Sequence, residues 1–178
     1  MEHRTGKAIV SSAGGTAAAG SKTYKVSIPS LWIKKMGLDE NKRNIELMFD
    51  GNCIYITAEK SITEFVSEKK TMGHNLKKLS FYNNIELCTV IYADFTDKTL
   101  KAENHTEDIV NTAFGNNTIP TWEDFMNFLE ERCIPRERSG IREYLETIGV
   151  AEYNPLEIIQ KTKGKMAEDR QWIEIEKI

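Results

Sequence analysis

The stretch that most constrains this chain is YKVSIPSLWIKKMGL, residues 24–38. Tyr24, Val26 and Ile28 are apolar at period two, with Lys25 and Ser27 between them, and this alternation predicts a strand. Pro29 follows, and proline suits the first position of a helix because its missing N–H would be unpaired there anyway. Leu31 and Trp32 stand at helical spacing from residues 33–36, which gives a short helix one apolar side. Gly37 suits the left-handed position that ends a helix. The stretch therefore predicts a strand, a proline-started helical stub and a glycine stop.

The flanks are β-rich. KAIVS (7–11) is a short strand candidate, and AGGTAAAGS (13–21) is a Gly/Ala/Ser connection. In NIELMFD (44–50), Ile45, Leu47 and Phe49 share one face while Glu46 and Met48 take the other. Asp50, Gly51 and Asn52 signal a turn, and CIYIT (53–57) returns as the second strand of a hairpin. A domain of roughly 50 residues cannot bury such faces alone, so the physical expectation is an obligate dimer.

Strand, Ser27-Ile28-Pro29, short helix, Met36-Gly37-Leu38, turn and alternating hairpin together resemble the swapped-hairpin DNA-binding domains of the AbrB/MazE/SpoVT group. Lys25-Val26-Ser27-Ile28-Pro29 matches the group's run of a basic residue, a β-branched residue, Ser or Thr, then Ile-Pro. The resemblance covers roughly residues 5–58. It departs from the pattern at Tyr24, where the group has Gly, and in the connection 13–21, where the group has a tight acidic turn. It implies an intertwined homodimer through residues 1–60 that sets basic side chains against double-stranded DNA. On that reading the protein is a cytoplasmic, nucleoid-associated transcriptional regulator, sequence-specific or of low specificity. An antitoxin-like autoregulator with a toxin partner is one form of it. The rival reading is a protein-binding inhibitor or adaptor that keeps the fold without binding DNA.

Charge points the same way. The net charge of −3 hides nine Lys/Arg against six Asp/Glu in residues 1–60, and nine against thirteen in residues 120–178. Phosphates attract Lys and Arg and release counterions. Lys25 matches the group's basic residue, Arg4, Lys7 and Lys22 flank the connection, and Lys34 lies on the stub with Lys35. The candidate DNA contacts are therefore Arg4, Lys7, Lys22, Lys25 and Lys34; the alternative for each is an ordinary solvated cation. Gly14, Gly15 and Gly20 either admit a phosphate to the backbone or keep the connection flexible.

Residues 61–83 read as a polar linker, helical or irregular, and residues 84–178 as a smaller α/β module that offers a surface for a protein partner. In it an apolar run at 87–93, a turn near Thr96-Asp97-Lys98 and a polar return predict a hairpin over 84–106. Thr121 starts one helix with a capping-box-like pattern, Ile141, Leu145 and Ile148 mark a second, and Asn154-Pro155 opens a third, so helices occupy 121–164. In the tail, Trp172 and Ile173 are the residues that would dock. The fold class is α+β: an N-terminal swapped-hairpin β domain, dimeric, then a smaller hairpin-plus-helices module.

Other chemistries find little footing. Asp94, Asp97, Glu103, His105, Glu107 and Asp108 gather in the second hairpin, as a metal-dependent nuclease would need. Their spacing matches no ligand motif, and Asp97-Lys98 is ordinary turn chemistry. His3, His74 and His105 lack a nucleophile partner, and no phosphate loop is present. Neither an enzyme nor a cofactor is expected. Cys53, Cys88 and Cys133 form no Cys-x-x-Cys pair and read as small buried apolar residues. No run reaches the ~18 apolar residues of a membrane helix. In ERCIPRERSGIRE, arginines alternate with glutamates, giving either mutual ion pairs or an arginine-bearing corner for an acidic partner.

Overall fold

A computed structural model describes residues 2–12 and 20–178. The chain is α+β and divides into two compact units, residues 1–59 and 60–178.

In the first unit, β1 (Ile9–Ser12) pairs antiparallel with β2 (Lys22–Lys25). The alternation at 24–28 predicts a longer strand, but β1 begins opposite Lys25, so Val26 and Ile28 have no ladder to join. Helix α1 (Ser30–Lys35) starts one residue later than expected. Pro29 keeps an extended backbone as the N-cap, and its carbonyl accepts from the N–H groups of Trp32 and Ile33 at 2.9 and 3.2 Å. At the other end Gly37 takes φ +73°. Its N–H then reaches the carbonyl of Lys34, and the Leu38 N–H reaches that of Ile33, a Schellman closure. Leu38 is the one buried hydrophobic side chain among the described residues of this unit.

β3 (Ile45–Phe49) and β4 (Ile54–Ala58) form the second hairpin. Its turn is held by Asp50, whose Oδ1 accepts from the N–H groups of Asn52 and Cys53 at 2.9 and 2.7 Å, while the Tyr55 hydroxyl donates to Oδ2. Cys53 at this turn is exposed, whereas Cys88 and Cys133 are buried; a turn position gives the thiol nothing to pack on.

The second unit corrects two expectations. Residues 61–83 are not a linker: they form α2 (Ile62–Thr71) and β5 (Leu76–Asn83). The module is also more than a hairpin with helices. β6 (Glu86–Asp94) and β7 (Thr99–Asn104) join β5 and the tail strand β8 (Gln171–Lys177) in a four-stranded antiparallel sheet, ordered β7-β6-β5-β8. The polar letters of β5 and β8 hide a period of two. Leu79 and Phe81 pair with Ile91, Ile173 and Ile175, while Lys78, Ser80, Glu174 and Glu176 face the other way.

The apolar face carries α3 (Trp122–Glu131), α4 (Ile141–Ile148) and α5 (Pro155–Thr162). Phe125, Phe128, Leu129, Leu145, Ile158 and Ile159 close the core, with Phe81 edge-on to Phe128 at 5.2 Å. Side chains specify the starts of α3 and α5, whereas α4 starts at Gly140 without a side-chain cap. Thr121 and Asp124 bond each other's backbone N–H in a capping box, and Asn154 Oδ1 accepts from Leu156 and Glu157. Leu76, Ser80, Val90 and Asp94 turn to the opposite face, and α2 covers them with Phe65 buried and Lys69 reaching Asp94. No helix among the described residues is long and apolar enough to cross a membrane.

Candidate nucleic-acid interface

The five candidate cations all lie in the first unit and all are exposed. The register separates two of them. Lys25 stands opposite Ile9 and Lys22 opposite Ser12. Directly opposed residues share a face and successive residues alternate, so Lys22 and Lys25 project from opposite faces of the β1–β2 hairpin. Lys25 shares its face with Ile9, Ser11 and Thr23, and Lys22 shares its own with Val10 and Tyr24.

Lys34 belongs to the last turn of α1, where it suits the negative end of the helix. The N-terminal segment is tied to that helix: Glu2 accepts from Trp32 Nε1 and pairs with Lys35 Nζ, both at 2.5 Å. Lys35 first, then Trp32, hold the Glu2 carboxyl below its usual range. Two residues of chain span at most about 7 Å, so Arg4 is kept near α1. Arg4 and Lys34 therefore belong to the stub side of the unit and Lys22 and Lys25 to the hairpin, which Lys7 precedes by two residues. Gly14 and Gly15 lie outside the described residues.

The acidic residues of the second hairpin do not form one cluster. Asp108 caps the 3-10 turn Ile109–Asn111, and His105 lies 3.9 Å from Glu103. Asp94 and Asp97 instead converge with two residues from the segment expected to be a linker. His74 Nδ1 lies 2.7 Å from Asp94 Oδ2, and Lys69 Nζ lies 3.1 Å from Asp94 and 2.5 Å from Asp97. One ligand atom each from His74, Asp94 and Asp97 falls within a 4.8 Å span, as a cation would need, and the Lys69 ammonium already supplies the positive charge. Burial pushes the Asp94 carboxyl up, but the His74 bond, the Thr96 N–H and Lys69 outweigh it and hold it down to about 2. Burial works likewise against the Lys69 charge, and Asp97 and Asp94 raise its pKa in spite of it. No local sequence signal marks this network: His74 meets Asp94 only because Leu76, two residues past it, pairs with Asp94 across the sheet.

The arginine–glutamate corner also differs from expectation. Arg132 is buried, and its guanidinium binds both carboxylate oxygens of Asp169 and the carbonyls of Gly164 and Gln171, locking α3 to the α5–β8 connection. Comparison with family models, curated proteins and solved structures finds no match to this chain.

Proposed function

We propose that this chain is a homodimeric DNA-binding regulator of the AbrB/MazE/SpoVT kind, cytoplasmic and nucleoid-associated, whose first unit interlaces with that of a second copy. The observation that carries this reading is uncovered apolar surface. Ile45, Leu47, Phe49, Ile54, Ile56 and Ala58 share one face of the β3–β4 hairpin, and Leu47, Ile54 and Phe49 are 66, 67 and 70% exposed. Two-stranded hairpins of this size do not persist alone in water. A second copy offers the same face in return, and burying roughly 100 Å2 from each such side chain contributes on the order of 2 kcal/mol apiece.

A two-fold pair displays every cation twice, so the Lys25 face and the Lys22 face of the hairpin each recur in the dimer. The acidic second unit stays available to a protein partner, as an antitoxin-like autoregulator requires. The separation of Lys22 from Lys25 favours the adaptor reading, because one copy presents no continuous cationic face on this hairpin.

Binding to random duplex DNA, titrated with salt, tests the proposal. A regulator loses affinity steeply with salt, and Lys25→Ala reduces the log–log slope by about one. A stable dimer that ignores DNA even at low salt establishes the adaptor instead. A monomeric first unit overturns both.

A further inference from the structure

Beyond α3 the chain turns through Pro135, Arg136 and Glu137, and with Glu130, Glu131 and Tyr153 these residues line an open concavity of about 490 Å3. Its one aromatic wall is fixed, since the Tyr153 hydroxyl donates to the Ile134 carbonyl at 2.9 Å. The ring face already carries a cation: the Arg136 guanidinium lies 4.8 Å from its centroid, within cation–π range. Among the described residues no ion pair links these alternating arginines and glutamates, one of the two readings their sequence offered. Arg132 is turned inward to Asp169 and Arg136 onto the ring, while Glu130, Glu131 and Glu137 stand exposed around the rim. Burial first, then nearby Cys133 and Glu130, push the Tyr153 phenol above its ordinary range.

We propose that this concavity is a docking site for an arginine-bearing segment of a partner protein, whose guanidinium lies on Tyr153 in place of Arg136, between the rim carboxylates. The occupant follows from charge complementarity. Three carboxylates against one displaceable guanidinium reject phosphate and acidic peptides, which reverses the expectation of an acidic partner at this corner. A guanidinium is planar and weakly hydrated, so it stacks on a ring while donating to flanking carboxylates. Arg136, on a surface turn, models that stacked pose and moves aside at little cost.

The test is an NMR titration of the full chain with a blocked Gly-Arg-Arg-Gly peptide, against its citrulline counterpart. Shifts confined to Glu130, Glu131, Arg136, Glu137 and Tyr153, absent with citrulline, support the site. The combined Glu130→Gln, Glu131→Gln and Glu137→Gln variant, changed only on the surface, is expected to weaken binding about tenfold or more, and Tyr153→Leu to weaken it several-fold. Arg136→Gln is expected to tighten it by clearing the ring. Shifts spread over the acidic surface, equal response to citrulline, or unchanged affinity in the triple variant overturn the proposal. Association beyond a dimer that disappears in the triple variant assigns the concavity to a second copy and overturns it as well.

Discussion

Asp94 sits where α2 meets the sheet, fully out of water, with His74, Lys69 and the Thr96 N–H all directed at its carboxylate. Removing one member of a buried charge pair leaves the others unpaired, so Asp94→Asn is expected to cost about 3 kcal/mol in urea unfolding of the second unit. The pH dependence follows from the depressed carboxyl, held at about 2 in the folded chain. Its contribution, about 2 kcal/mol, is complete above pH ~4 and fades as pH falls towards 2. Unfolding curves at pH 6, 4 and 2.5 should show that loss in the native protein and lack it in Asp94→Asn. Arg132 has the same character: Arg132→Ala leaves Asp169 and two carbonyls without their donor, and a loss of about 3 kcal/mol should appear in the same assay.

Among the elements, most of those with local punctuation were legible; α2 was not, although Ser61 and Glu64 form a capping box at its start, because its polar face reads as a linker. Thr121, Asn154-Pro155 and Asp50-Gly51-Asn52 announce helix starts and a turn by chemistry within three residues, and the structure places α3, α5 and the β3–β4 turn there. β5 and β8 carry no such marks. LKKLSFYN and QWIEIEK earn their places by pairing with each other across some ninety residues, a non-local fact that polar composition conceals. The His74–Asp94–Lys69 network was hidden for the same reason, since Asp94 meets the other two only once β5 and β6 are aligned. The α5–β8 connection offers an element-level test. Gly164 has φ +60°, and an added Cβ would lie 3.3 Å from the Arg132 Cβ. Gly164→Ala should therefore lower stability by about 1–3 kcal/mol, through backbone strain and through displacement of Arg132. Ser61→Ala, which removes the capping box of α2, should cost about 1 kcal/mol and leave the α3–α5 core intact by near-UV circular dichroism.

For the whole molecule, the two units differ in how they are completed. The second contains its own core, closed by three helices on one face of its sheet and α2 on the other, whereas the first buries Leu38 and leaves its hairpin faces open. Under the dimer proposal, calorimetry should resolve a transition whose midpoint rises with protein concentration and another that does not. Leu47→Asp should abolish the first by placing a charge in the shared core, with the second unchanged. The open β3–β4 face also bears on cellular abundance. Under the same proposal a newly made chain carries that greasy ribbon until it meets a sibling, and quality-control proteases degrade chains caught in such a state. Lifetime then lengthens with copy number, so scarce protein is cleared quickly while plentiful protein endures, and pulse-chase decay at graded induction would trace that threshold.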